Sequence, residues 1–353
     1  MRLCIAGLAF AAAALVGNAG PAGAAAAPQP VIDMHFHALH ADSQGPPPAL
    51  FCQPSPTNVT WDAGLTTNAA ARAAFKKANC AAPIWSPATD EALRDASMAE
   101  LRKYNITAIA SGSPAVVQAW ESVESARIIP AVTMGDEPYP SIEQLRTLYR
   151  AGRLKVLGEI SVQYDGVAPN DPRLEPYLAL AEELDIPVGI HMGPGPRGAS
   201  YMPGFGAYRA RLSDPLQLED VLVRHPHLRL YVMHAGWPMA DNMIALLFAH
   251  PQVYVDTAVI DFILPREAFH SYLRRLVEAG FEKRIMFGSD QMVWPQAIGI
   301  GIQSIQSATF LTEAQKRDIL HDNAARFLRL KPGETSFTGE AARMPAGAPG
   351  KTS

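Results

Sequence analysis

The segment Val31-Ile32-Asp33-Met34-His35-Phe36-His37 is the clearest predicted β-strand of the sequence. It is short and mostly apolar, and polar, proline-rich sequence follows it, as is typical of a buried β-strand. Side chains two residues apart on a strand point to the same side, so His35 and His37 are expected to share a face. Two imidazoles on one face can hold a divalent metal ion, although a His-x-His pair also arises by chance.

Seven further segments have the same short, apolar character, with Val, Ile, Leu, Tyr or Met at their centres. They are Ile106–Ser111, Arg127–Thr133, Lys155–Ser161, Pro187–His191, Arg229–His234, Val253–Thr257 and Arg284–Ser289. Eight segments with helical apolar spacing alternate with the strands: Thr89–Tyr104, Pro114–Ser125, Ser141–Ala151, Arg173–Leu184, Pro215–Arg224, Met239–Ala249, Pro265–Ala279 and Thr312–Leu330. This alternation predicts an α/β fold, a distorted (β/α)8 TIM barrel, with a doubly wound sheet as the alternative.

Histidine and carboxylate side chains recur at the C-terminal ends of the predicted strands. They are His35, His37, Glu159, His191, His234 and Asp290. All strand C-termini of a barrel open on one face, and that face carries the active site. Taken singly, each residue has a structural explanation, such as a salt bridge, a core histidine or a helix cap. Together they predict a metal centre that contains one or two divalent ions, with zinc favoured.

The two ends of the chain differ in composition from the rest. Arg2 precedes the apolar run 3–16, and small residues follow with an Ala-x-Ala pattern at Ala22–Ala24. These features predict a signal peptide over residues 1–26, with a retained anchor as the alternative. The catalytic domain is expected over residues 27–330 and a disordered tail over 331–353. The mature protein is therefore expected in the periplasm or outside the cell, without a membrane segment.

Charge and cysteine content narrow the function classes. The chain has 353 residues and a formal net charge of -4, with no cluster of Lys or Arg, which argues against nucleic-acid binding. The expected partner is a small-molecule substrate, and a homo-oligomer is left open.

Cys52 and Cys80 remain after removal of the leader. Either a disulfide between them, in an oxidising compartment, or two free thiols are expected.

Two long segments interrupt the alternation of strands and helices. Residues 39–88 are proline-rich, and residues 193–213 are rich in Gly, Pro and Tyr. Loops of this length in a compact domain are commonly functional. The predicted substrate-binding residues are Arg197, Tyr201, Trp237 and Trp294. Arg197 is expected to receive an anionic group together with Tyr201 and Arg209, and the two tryptophans to wall the pocket.

The sequence resembles the amidohydrolase superfamily, in its amidohydrolase-related branch, from Val31 to Leu330. The resemblance rests on Asp33-Met34-His35-Phe36-His37, His191, His234, Gly288-Ser289-Asp290 and Asn323-Ala324-Ala325-Arg326-Phe327. It implies a distorted (β/α)8 barrel with one or two divalent metals at its C-terminal mouth.

The resemblance also implies a role for each candidate ligand. His35, His37 and Asp290 match the ligands of the more buried metal. Glu159 matches a carboxylate that ligates or bridges two metals in TatD-type nucleases and phosphotriesterase-related lactonases. His191 and His234 would then bind the second ion. In the aminocarboxymuconate-semialdehyde decarboxylase group, by contrast, one metal is held by three histidines and an aspartate, and the histidine of strand six acts in acid/base catalysis.

The expected function is a metal-dependent hydrolase that uses metal-activated water on an ester, lactone, amide or similar bond. Asp290 is expected to act as the proton-handling base, with His234 as the second choice. Two alternatives remain: a metal-dependent decarboxylase on the same barrel, and a non-catalytic periplasmic binding protein.

Overall fold

The computed structural model describes residues 28–55, 64, 80, 82–135, 138–202 and 204–331. Its strands are β1 (Val31–His37), β2 (Leu50–Cys52), β3 (Pro83–Trp85), β4 (Ile106–Ser111), β5 (Ile128–Met134), β6 (Val156–Ile160), β7 (Val188–His191), β8 (Leu230–Met233), β9 (Tyr254–Asp256) and β10 (Ile285–Met286). Eight of them form one sheet in the order β1-β4-β5-β6-β7-β8-β9-β10, with every adjacent pair parallel. The backbone N–H of Met34 donates to the carbonyl of Phe287 at 2.9 Å, so the last strand returns to the first. The barrel prediction is confirmed.

Helices fill the intervals between the strands, and most of them match the segments with helical apolar spacing. They are α1 (Asp90–Lys103), α2 (Pro114–Glu121), α3 (Ile142–Arg150), α4 (Glu175–Glu183), α5 (Glu219–Arg224), α6 (Ala240–Ala249), α7 (Ile260–Ile263), α8 (Arg266–Glu278), α9 (Gln296–Gln306), α10 (Glu313–Arg317) and α11 (Asn323–Leu328). The barrel strands are buried along nearly their whole length, because helices cover one face and the other lines the interior.

Helix α9 is not predicted from the sequence, because its two glycines lower its helix propensity. Packing requires both glycines. A Cβ atom at Gly299 would lie 2.5 Å from the Tyr104 hydroxyl, and one at Gly301 would lie 2.8 Å from Oδ2 of Asp261. The close approach of α9 to α1 and α7 therefore depends on the missing side chains.

The predicted final helix, Thr312–Leu330, is interrupted in the structure. A π-helical turn over Asp318–Asp322 separates α10 from α11. The carbonyl of Ile319 accepts a hydrogen bond from the backbone N–H of Phe287 at 2.8 Å, which diverts it from regular helical pairing. The predicted helix begins Thr312-Glu313-Ala314-Gln315, a sequence that predicts a capping box, and the structure confirms the box between Thr312 and Gln315.

The long segment after β1 contributes a hairpin that covers the barrel mouth. Strands β2 and β3 pair antiparallel, and a disulfide joins Cys52 to Cys80, with 5.2 Å between their Cα atoms. Phe51 of this hairpin packs against Trp294, with 5.0 Å between ring centroids. Within the described ranges, every helix is too short or too polar to traverse a lipid bilayer. The predicted signal peptide, and the predicted tail beyond Lys331, lie outside the described residues.

Candidate metal centre

Six predicted ligands meet at the C-terminal end of the barrel. β1 supplies His35 and His37, β6 supplies Glu159 and β7 ends at His191, while His234 and Asp290 follow β8 and β10. Three overlapping groups of these side chains have ligand atoms within 4.8 Å of one another. They are His35–His37–Glu159, Glu159–His191–His234 and His35–His234–Asp290. The convergence expected from the strand ends is therefore present.

Irregularities in the strands aim two of these side chains. The pairing register shifts between Asp33 and Phe36 where β1 lies beside β4. A second shift lies between Leu157 and Ile160 where β6 lies beside β7, and Glu159 falls inside it. Such irregularities turn a strand locally and redirect a side chain, and they are frequent beside active sites.

One side of the centre joins β1, β6 and the residue that follows β10. Nε2 of His37 lies 3.0 Å from Oδ1 of Asp290 and 3.6 Å from Oε2 of Glu159. Nε2 of His35 lies 3.9 Å and 3.7 Å from the same two oxygens. Two ligand atoms that share a tetrahedral zinc ion are about 3.4 Å apart. These four atoms therefore suit one cation.

The other side of the centre uses the second oxygen of the same glutamate. Oε1 of Glu159 lies 2.5 Å from Nδ1 of His191 and 3.7 Å from Nε2 of His234. The two imidazole nitrogens are 2.9 Å apart. Each oxygen of Glu159 thus faces a different pair of histidines.

The hydrogen bonds around the rings agree with a metal-ligand role. Nε2 of His35 is buried and has no hydrogen-bond partner in the described part of the chain. Nδ1 of His234 lies 3.0 Å from the carbonyl of Ala258, which can accept its proton. Nε2 of His191 lies 3.1 Å from the Tyr164 hydroxyl and 3.2 Å from the carbonyl of Gly193. In His191 and His234 the nitrogen that faces the centre can therefore keep its lone pair.

The electrostatics hold both carboxylates in the ionised form. Burial has the largest effect on Glu159 and opposes ionisation, but the hydrogen bond and charge of His191 outweigh it and place the pKa well below the usual range. The pKa of Asp290 is lowered too, because the charge of His35 and contact with His37 overcome burial. Burial lowers the pKa of His191. Ionised carboxylates are the ligand form that cations bind.

Several residues that support the centre are missing from the sequence prediction. Gln291 accepts a hydrogen bond from the backbone N–H of His37 at 2.9 Å and donates to the carbonyl of the same residue. Gln163 donates to the carbonyl of His191. Asp33, inside the quoted motif, accepts from the N–H groups of His35 and Ser289. The sequence signal that marks these three residues is a polar side chain within four positions of a predicted ligand.

Asp256, at the end of β9, is likewise absent from the predicted ligand set. Its side chain is fully buried, and Oδ2 lies 3.3 Å from Nδ1 of His35. Its strand was predicted, and a carboxylate at the end of a buried apolar strand is the signal that marks it.

A cavity of about 1960 Å³ opens above the centre. Of the predicted substrate-binding residues, Trp237, Trp294 and Arg197 line it. Tyr201 is 58% exposed and lies outside the described lining, and Arg209 is exposed and donates to the carbonyls of Gly206 and Tyr208. The structure therefore brings only part of the predicted substrate-binding set to the cavity.

Arg197 is the only Arg or Lys side chain among the described residues that line this cavity. It is half-buried, and its Nη2 donates to the Ser55 hydroxyl at 3.0 Å. No carboxylate in the described ranges forms a salt bridge with it, and burial lowers the pKa of its guanidinium. Its position leaves donors available to an anion in the cavity.

Comparisons with known proteins agree with this architecture. A family model described as Amidohydrolase matches residues 32–330. Among solved structures, an uncharacterized TIM-barrel protein from Bordetella bronchiseptica is 18% identical, with a TM-score of 0.58, and the alignment covers 85% of this chain and 99% of that one.

Two further structures have names that state an activity. A probable 2-pyrone-4,6-dicarboxylic acid hydrolase from Acinetobacter baumannii is 13% identical, with a TM-score of 0.52 over 85% of this chain and 99% of that one. A 2,6-dihydroxybenzoate decarboxylase in complex with 2,6-dihydroxybenzoate is 15% identical, with a TM-score of 0.54 over 86% and 100% of the chains. At these identities the likeness shows the fold.

A curated relative, Protein fluG of Emericella nidulans, is 22% identical over 96 residues. That match spans 27% of this chain and 11% of the relative's length.

Proposed function

Because the chain belongs to the amidohydrolase family, we propose that it is a metal-dependent hydrolase that cleaves an ester, lactone, amide or similar bond of a small molecule. The proposal depends on one observation, the division of the Glu159 carboxylate between two histidine pairs. That arrangement favours two cations over one. A single-ion site, as expected for the decarboxylase alternative, would not need both oxygens.

The residues suited to hold the ions follow from the distances. One ion would be held by His35, His37, Asp290 and Oε2 of Glu159. The other would be held by His191, His234 and Oε1 of the same glutamate. Nitrogen and carboxylate ligands in small number favour zinc. Bound there, such cations supply a Lewis acid for a carbonyl oxygen and lower the pKa of water.

Asp290 is the proposed proton-handling group. Its carboxylate lines the cavity, and its lowered pKa keeps it ionised at neutral pH. It can therefore accept the proton of the attacking water and return it to the leaving group. His234, which also lines the cavity, is the alternative if only one ion binds.

The cavity supports a substrate with an apolar or aromatic body and one carboxylate. Phe51, Trp237 and Trp294 contribute aromatic walls, and Arg197 contributes a half-buried positive charge. An arginine binds a carboxylate through two parallel N–H donors. The names of the hydrolase and decarboxylase relatives include acids, in keeping with such a substrate.

Labelled water and metal content test the reaction class. The purified protein, loaded with zinc or manganese, would be screened on aromatic carboxylates that also contain ester, lactone or amide bonds, in ¹⁸O-enriched water. We expect ¹⁸O in the product and two ions per chain. Release of carbon dioxide without ¹⁸O incorporation, with one ion per chain, would make the protein a decarboxylase. Tight ligand binding without turnover would instead support a binding protein.

We also propose that the mature domain, residues 27–330, is exported to the periplasm or the medium. The Cys52–Cys80 disulfide supports this, because such bonds persist in oxidising compartments. Cell fractionation with N-terminal sequencing should find the protein outside the cytoplasm, starting near residue 27. A cytoplasmic protein that retains Met1 would contradict the proposal.

A further inference from the structure

Asp256 contacts both sides of the candidate metal centre without lining the cavity. Its Oδ1 accepts hydrogen bonds from the backbone N–H groups of His234 at 2.9 Å and Ala258 at 3.1 Å. Its Oδ2 lies 3.3 Å from Nδ1 of His35. The side chain is fully buried, so no substrate can reach it.

The contact with His35 bears on which ring nitrogen keeps its proton. Nδ1 of His35 and Oδ2 of Asp256 are both buried, and no other residue in the described ranges forms a hydrogen bond with either atom. A proton on Nδ1 therefore has this carboxylate oxygen as its acceptor. Nε2, on the opposite edge of the ring, faces Glu159 and Asp290. A proton held on Nδ1 leaves the lone pair of Nε2 directed at the centre.

The contact with His234 is less direct, but it also favours a proton on Nδ1 of the ring and a free lone pair on Nε2. His234 has a left-handed backbone, with φ at 59°, a conformation that is uncommon for residues other than glycine. Oδ1 of Asp256 accepts hydrogen bonds from the backbone N–H groups of both His234 and Ala258. The carbonyl of Ala258 faces Nδ1 of His234 at 3.0 Å. The nitrogen that faces Glu159 is thus left as Nε2, with its lone pair.

We propose that Asp256 is a positioning residue that sets the proton-bearing nitrogen of His35 and His234, and thereby the affinity of both sides of the centre for divalent cations. The inference rests on the proposed metal centre, but not on the identity of the reaction. Carboxylates beside metal-binding histidines commonly change metal affinity by about 10- to 100-fold when replaced.

Asp256→Asn separates the two functions of the carboxylate. The amide oxygen can still accept from His234 and Ala258, whereas the amide N–H₂ replaces the oxygen that faces His35. An N–H donor that faces Nδ1 of His35 disfavours a proton on Nδ1, so the ring proton moves to Nε2. On Nε2 the proton competes with the cation for the same lone pair. We expect the zinc affinity, measured by competition with a chromophoric chelator, to fall about 10- to 100-fold.

Asp261→Asn is the matched control. Asp261 is also buried, five residues along the chain, and its carboxylate accepts from the Thr257 hydroxyl at 3.3 Å. Burial raises the pKa of its carboxyl group well above the usual range, which favours the neutral acid that an amide resembles. We expect this variant to keep the wild-type zinc affinity. An equal loss of affinity in Asp261→Asn would overturn the proposal, since any buried aspartate would then have the same effect.

A ¹⁵N NMR measurement on the zinc-loaded wild type keeps the test valid if Asp256→Asn does not fold. It should assign the proton of His35 to Nδ1 and the metal contact to Nε2. A proton on Nε2 would overturn the proposal. Metal binding is measured without turnover, so a failed hydrolase screen leaves this inference intact. A wild type that binds no divalent cation would overturn this inference and the metal centre together.

Discussion

The Oε1 atom of Glu159 lies 2.5 Å from Nδ1 of His191, so β6 and β7 share one charged contact at the barrel mouth. The other oxygen, Oε2, is turned toward the histidines of β1. A single carboxylate therefore links the two sides of the candidate centre.

Glu159→Gln should lower the number of bound divalent ions from two to one or none. The amide offers one oxygen instead of two, and its N–H₂ group repels a cation. Elemental analysis of the dialysed, zinc-loaded protein would count the ions per chain. Glu143→Gln, which changes an exposed carboxylate in the cavity wall, should leave the count at two. Two ions per chain in Glu159→Gln would contradict the bridging assignment.

Asp290→Asn should lower the turnover number about 10²- to 10⁴-fold, because an amide cannot accept the proton of the attacking water. The change is nearly isosteric, so the far-ultraviolet circular dichroism should match the wild type. Asp42→Asn, at an exposed aspartate in the segment after β1, should retain wild-type turnover. Comparable turnover in Asp290→Asn and the wild type would remove Asp290 from the proton-handling role.

Arg197→Met should raise the KM for an anionic substrate about 10- to 100-fold, since a charge-assisted hydrogen bond contributes roughly 1.5–3 kcal/mol. The side chain keeps much of its length and loses its charge. The KM for a neutral amide analogue of the same substrate should stay unchanged. Arg209→Met, which alters the exposed arginine of the same loop, serves as the control. An equal rise in KM for both substrates would point to a loss of packing instead of charge recognition.

Asp33→Asn should stabilise the metal-free protein at neutral pH. Burial raises the pKa of Asp33 from 3.8 to about 6, so between these values the folded protein holds a proton that the unfolded chain has lost. The free energy of unfolding should therefore decrease as pH rises from about 4 to 6. The difference between the two pKa values corresponds to roughly 3 kcal/mol, which is an upper estimate of the increase in the free energy of unfolding of Asp33→Asn at pH 7.

Urea unfolding of chelator-treated wild type and Asp33→Asn across this pH range would measure the effect. The two proteins should have similar stability near pH 3.5 and diverge above pH 5. Parallel stability curves from pH 3.5 to pH 7 would mean that Asp33 titrates normally in the folded state.

The placement of the ligands could be predicted because it depends on local pattern and barrel topology. Short apolar strands alternate with helices, and parallel strands expose all their C-terminal ends on one side. His191 and His234 could therefore be assigned to one rim although 43 residues separate them. The same reasoning predicted the capping box at Thr312, which needs only four consecutive residues.

Other features depend on contacts that no local pattern encodes. Helix α9 contains two glycines that only its packing against Tyr104 and Asp261 explains. Tyr201 belongs to the loop that was predicted to bind substrate, yet the fold of that loop leaves its side chain exposed.

The order of residues along the chain specifies the alternation of strands and helices, and with it the rim on which the six candidate ligands meet. Long-range packing specifies which oxygen of Glu159 faces which histidines, and places Asp256 against His35. The two kinds of information differ in range. Side-chain periodicity is set by neighbouring residues, whereas the direction of a ring or carboxylate is set by strand irregularities and by hydrogen bonds to residues distant in the chain.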